Sequence, residues 1–91
     1  MFNLGQTVMT RTIADVIEQD PAFHIEIINA MQRYVNGDWG ELCADDSIMN
    51  DKAVISKNDR ILAAYQTTHG KIWIITEWDR SFTTVLFPND Y

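Results

Sequence analysis

Between Arg60 and Phe87 the chain carries three short runs dominated by apolar and β-branched residues, RILAAYQT, KIWIITEW and SFTTVLF, separated by His69-Gly70 and Asp79-Arg80. Runs of this length bounded by turn-forming pairs predict three consecutive antiparallel strands. A turn at His69-Gly70 sets Tyr65 opposite Ile74 and Ala64 opposite Ile75. A turn at Asp79-Arg80 sets Ile74 opposite Val85 and Trp73 opposite Leu86. Because side chains alternate along a strand, one face collects Ile61, Ala63, Tyr65, Ile72, Ile74, Val85 and Phe87. The other collects Leu62, Ala64, Trp73, Ile75, Thr84 and Leu86. Both faces are largely apolar, whereas a sheet with one wet face alternates apolar with polar. The second face is therefore expected to be covered by helices or by another chain.

Upstream, the period changes from two to three or four. Phe23, Ile27, Ala30, Met31, Tyr34 and Val35 fall on one helical stripe between Asp20-Pro21, a capping residue followed by a proline at the first helical position, and Gly37, a left-handed stop. They predict a helix from about Pro21 to Asn36. Before it, Thr12-x-x-Asp15 ahead of Ile13, Val16 and Ile17 reads as a capping box opening a short helix near Thr12. After it, residues 45–56 predict a third helix with Asp45 and Asp46 at its positive end, Ile48, Met49 and Ala53 inward, and Lys57 at its negative end. Asn58-Asp59 then turns the chain into the sheet. Phe2 to Met9 reads either as a fourth strand at a sheet edge or as packed extended chain. The fold class expected is α+β: N-terminal helices on a C-terminal three-stranded antiparallel meander.

Composition narrows this picture. Ninety-one residues suffice for one domain, 1–91, that buries about 60–65% of the surface of its unfolded chain. A hydrophobic content of 46% is enough to drive that burial and excludes a disordered chain. Cys43 is the only cysteine, so no internal disulfide forms and a cytosolic setting is expected. The N-terminal stretch lacks the apolar run of a signal peptide, no segment approaches the ~20 apolar residues of a membrane span, and Met1 reads as the natural start of a complete chain. Thirteen acidic against seven basic residues give a net charge of −6, which disfavours direct contact with nucleic acid and favours a basic partner.

Candidate chemistry is sparse. His24 sits among apolar residues and His69 in a turn, without the spacing of a metal site. Cys43 has no neighbouring base to activate it, and no glycine-rich phosphate loop occurs. No nucleophile, base and orienting group can be assembled, so neither enzymatic activity nor a cofactor is expected. What stands out is GDWGELCADDSIMND, with Asp38, Glu41, Asp45, Asp46 and Asp51 and no basic residue. It lacks the alternating ligands and central glycine of a calcium loop, and reads either as a solvated acidic face or as a site for a basic protein. Trp39, Trp73 and Trp78 suit the core, or an interface where they adjoin carboxylates, as in Asp38-Trp39 and Glu77-Trp78-Asp79.

The segments GDWGELC, ILAAY and GKIWIITEWDRSFTTVLFPNDY together resemble a group of small proteins carried by bacterial plasmids, phages and other mobile elements, over roughly residues 37–91. The resemblance implies context rather than a reaction: small acidic proteins of such elements often act as antagonists of host defence, inhibiting CRISPR effectors or restriction enzymes. The expected function is therefore a non-enzymatic inhibitor of a nucleic-acid-handling defence complex. Its contact residues are expected to be Asp38, Trp39, Glu41, Asp45, Asp46, Asp51, Glu77 and Asp79. The alternative is a self-associating regulatory domain, antitoxin-like, whose homodimer buries Trp73, Ile75 and Leu86.

Overall fold

The three C-terminal runs form consecutive strands, and a fourth joins them. In the computed structural model, which describes residues 2–56 and 59–91, the elements in chain order are β1 (Gln6–Met9), α1 (Arg11–Gln19), α2 (Ala22–Val35), α3 (Ala44–Ser56), β2 (Ile61–Thr67), β3 (Gly70–Thr76) and β4 (Phe82–Leu86). A short 3-10 turn, Pro88–Asp90, follows. The sheet has the order β1-β4-β3-β2, with β1 parallel to β4 and the other pairs antiparallel. It is thus a mixed four-stranded sheet and not the antiparallel meander alone, because the N-terminal strand occupies the outer edge of β4. Lys57 and Asn58, expected at a helix end and a turn, lie outside the described residues.

The second hairpin has the expected register, Ile74 opposite Val85 and Trp73 opposite Leu86. The first is displaced by two residues: Tyr65 lies opposite Ile72 and Ala64 opposite Trp73, with Thr67 paired to Gly70 across Thr68-His69. Side-chain contacts select the Thr68-His69 turn. Thr67 Oγ1 accepts the His69 N–H at 3.1 Å, and the Glu26 carboxylate of α2 accepts both the backbone N–H and the hydroxyl of Thr68 at 3.0 and 2.6 Å. A slip of two leaves parity intact, so the faces fall as the alternation requires.

On the first face Ile61, Ala63, Tyr65, Ile72, Ile74 and Val85 are buried against Ile13 of α1 and Phe23, Ile27, Ala30 and Tyr34 of α2. Each large apolar side chain so enclosed contributes about 1.5–3 kcal/mol. Phe87 extends the same face, stacked on Phe23 with centroids 6.0 Å apart. Helix α1 begins earlier than Thr12-x-x-Asp15 suggests: Thr10 caps it, its hydroxyl accepting the Ile13 N–H. Asp20 closes α1 through its N–H to Val16 O and has no side-chain role in capping α2. Its carboxylate instead meets His69 Nε2 at 2.8 Å. Gly37, with φ of +80°, ends α2 as expected.

Within this core lies a chain of hydroxyls: Tyr34 to Thr76 at 2.7 Å, Thr76 to Thr83 at 2.8 Å, and Thr83 to the Leu4 carbonyl at 2.6 Å. Each hydroxyl holds one proton. Since only Thr83 can donate to Leu4 O, Thr76 donates to Thr83 and Tyr34 directs its proton to Thr76, with the Ile61 carbonyl a longer acceptor at 3.4 Å. The network ties α2, β3, β4 and the N-terminal segment together with no side-chain polar atom left unpaired among the described buried ones.

On the second face Ala64, Ile75 and Leu86 are only 3–5% exposed, and Tyr91 returns over the sheet. The Tyr91 ring meets Trp73 edge-on at 5.9 Å, and its hydroxyl accepts from Arg60 Nη1 at 2.6 Å.

Candidate docking surface

Helix α3 lies along the outer edge of β2 and is held there by hydrogen bonds rather than by an apolar stripe. Asn50, buried, donates its amide N–H to the Leu62 carbonyl at 2.7 Å and accepts the Leu62 N–H at 3.3 Å, so one side chain supplies what a neighbouring strand would. At the next outward-directed position, Ala64 donates to Trp39 O and accepts from Glu41 N. The backbone comes so close at Gly40, with φ of +73°, that a β-carbon there would collide with the Ala64 carbonyl.

Two further ties hold the C-terminal half of α3. Trp39 Nε1 donates to Asp51 at 2.9 Å. Close by, the Arg80 guanidinium donates to the Ala53, Asp59, Glu77 and Trp78 carbonyls at 2.7–3.3 Å, joining the helix to the β3–β4 turn. Arg80 itself has a left-handed φ of +62°, unusual for a residue bearing a β-carbon, and these four contacts hold it there. The same turn is fixed by Asp79, whose carboxylate accepts the Ser81 N–H and hydroxyl; these bonds hold it below the usual carboxylate range.

This mode of attachment overturns one expectation. Ile48 and Met49 do not point inward: they are 51% and 61% exposed, and Ile55 is 82% exposed, while only Asn50 and Ala53 are buried. An amide bonded to a strand edge brings its own side of the helix inward, and the apolar residues on the other side face water. Trp78, 62% exposed, lies in the β3–β4 turn that Arg80 ties to α3. Among the described residues, Asp45, Asp46 and Glu77 make no side-chain hydrogen bond or ion pair. A groove of about 450 Å³ at this edge is lined by Leu42, Asp46, Met49, Asn50, Asp59, Arg60 and Leu62.

The other expected contact residues have internal roles. Asp38 is bound by Arg33 through two bonds, at 2.7 and 3.2 Å, and accepts the Gly40 N–H, so its carboxyl is held below the ordinary value, Arg33 foremost. Glu41 lies 3.7 Å from Lys71, and Asp51 serves Trp39. Trp39 is 5% exposed, against Tyr34 and Phe2, and is a core residue rather than an interface anchor. Of the proposed self-association residues, Ile75 and Leu86 are already covered within one chain, and Trp73 is half-buried beneath Tyr91. Sequence reasoning missed the exposure of Ile48, Met49 and Ile55. The available signal was the weak amphipathicity of ADDSIMNDKAVIS, whose apolar residues follow no single stripe.

Among the described residues no group of three His, Cys, Asp or Glu is placed to hold a metal ion, and no helix is long and apolar enough to cross a membrane. The chain matches no protein family, no curated protein and no solved structure.

Proposed function

We propose that this protein is a non-enzymatic binding module whose α3 face docks on a basic surface of a bacterial nucleic-acid-handling complex and thereby excludes nucleic acid from it. The observation that carries the reading is the outward display of Ile48, Met49, Ile55 and Trp78 among the unengaged Asp45, Asp46 and Glu77. Apolar side chains supply desolvation energy at the centre of such a contact. The surrounding carboxylates steer it toward cations that otherwise pair with phosphates. A net charge of −6 opposes binding to nucleic acid itself. The resemblance to proteins of plasmids and phages makes CRISPR and restriction effectors the targets of choice.

The test is plasmid survival in bacteria with an active CRISPR or restriction system, with and without this protein. Survival rising at least tenfold in one system, and falling back with Asp45→Lys/Asp46→Lys although that variant keeps its circular dichroism spectrum, is the expected result. Protection that is unchanged by the charge reversal refutes the role of the α3 face, and no protection in any system refutes the inhibitor reading.

A further inference from the structure

We infer that β1 is a self-pairing edge through which two copies of this chain join into one continuous sheet, independently of the α3 face. The two sheet edges are treated differently. At the β2 edge, Leu62 and Ala64 have their outward backbone groups satisfied by Asn50 and by residues 39–41. At the β1 edge nothing comparable occurs among the described residues. Gln6 N bonds Ser81 O and Thr10 N bonds Val85 O, so even-numbered residues face β4, and the alternation directs the backbone groups of Thr7 and Met9 away from the sheet. An uncovered edge of this kind is a template for another strand.

Above the edge, α2 overhangs. Its sequence carries a second apolar flank, Ile28, Met31 and Val35, beyond the stripe that buries Phe23, Ile27, Ala30 and Tyr34. This flank and Met9, 42% exposed, line an open groove of about 340 Å³ together with Thr7 and Val8. The occupant must therefore be extended, must offer a free backbone edge, and must bring apolar side chains to the α2 side.

Within the described chain β1 meets all three conditions. The charge distribution also selects a second copy: the groove is lined by no acidic, lysine or arginine side chain, although the chain carries a net charge of −6. Two such molecules repel least where they meet through an uncharged strip, whereas a basic partner gains nothing there.

A two-fold axis through Val8 fixes the register. Thr7 lies opposite Met9 of the partner subunit, each such pair exchanging both of its backbone bonds, and Val8 lies opposite Val8 of the partner subunit as the non-hydrogen-bonded pair. Thr7 and Met9 pair with Thr83 and Val85, both on the core face, so Met9 of each copy comes beneath the α2 flank of the other. The two flanks cover the seam from the same side.

Cysteine crosslinking reads this register directly. In a Cys43→Ser background, Val8→Cys places two thiols about 4.5 Å apart by Cα, within disulfide range, while Gln6→Cys places them about 13 Å apart. Sedimentation of the unmodified protein should give twice the chain mass. Mild oxidation should give a covalent dimer with Val8→Cys and not with Gln6→Cys, and Ile28→Glu should halve the mass while its circular dichroism is unchanged. A single-chain mass for the unmodified protein at high micromolar concentration overturns the inference, even if a foreign extended peptide then binds at β1. So does equal crosslinking at both positions, or an Ile28→Glu variant that keeps the doubled mass.

Discussion

Tyr34 shows how much of this fold rests on single buried polar atoms. Its phenol lies with no exposed surface between α2 and β3, and burial pushes its ionisation well above the ordinary value of 10.0, against the smaller opposing effect of its bond to Thr76. Tyr65 is raised for the same first reason, with the Asp38 charge adding to it, and its hydroxyl donates to the Asp38 carbonyl at 2.6 Å. Both phenols stay neutral in the folded protein at a pH where they ionise in the unfolded chain. Their contribution to stability is therefore complete below pH 10 and is lost as pH rises beyond it, because the unfolded state then binds fewer protons than the folded one. An alkaline titration should show tyrosinate absorbance from Tyr34 and Tyr65 appearing together with the loss of far-ultraviolet ellipticity. Their ionisation in a chain that keeps its ellipticity would show that these rings are not enclosed as described.

At the scale of elements, the helix α3 and the β2 edge depend on each other. Substituting Asn50→Ala removes two hydrogen bonds and leaves the Leu62 N–H and carbonyl without protein partners at a partly covered edge. A loss of about 1–3 kcal/mol is expected, measured by denaturant unfolding, with faster amide exchange at Leu62. An undiminished midpoint would mean that the apolar contacts of Ala53 and Leu42 hold α3 alone. The same elements explain what the amino-acid pattern disclosed and what it did not. Helix α2 and the three C-terminal strands were legible because hydrophobic periodicity is a local signal, and the two sheet faces were legible because parity survives a two-residue slip. The His69-Gly70 register was not, since the choice of Thr68-His69 as the turn depends on Glu26, some forty residues away in sequence. The parallel pairing of β1 with β4 joins residues at opposite ends of the chain, and four residues carry too little pattern to specify it. The outward face of α3 was hidden because a polar residue, Asn50, does the docking that apolar residues usually do.

For the whole molecule, these features divide the surface by chemistry. One side presents α3 and the β3–β4 turn, apolar and acidic together; the opposite sheet edge presents an uncharged strip beside β1. A dimer joined at β1 would leave an α3 face at each outer end, so one assembly would offer two docking surfaces directed away from its axis. In the proposed docking, attraction between exposed charges is screened beyond about 8 Å at physiological salt, so binding should weaken as ionic strength rises. The acidic segment was legible in the sequence as composition only. Which carboxylates remain unengaged followed from Arg33, Lys71, Trp39 and Ser81, whose positions relative to the acids are set by the fold.

The measurement that bears most directly on the docking claim is a binding titration of this protein against a purified CRISPR or restriction effector identified by plasmid survival. The effector would be used free and preloaded with its target DNA, at low and at high salt. The account predicts binding to the free effector that weakens at high salt and in the Asp45→Lys/Asp46→Lys variant, and at least a tenfold loss of affinity once DNA occupies the effector. Equal affinity for free and DNA-loaded effector would contradict it, because a face that competes with phosphates for cations cannot be indifferent to them.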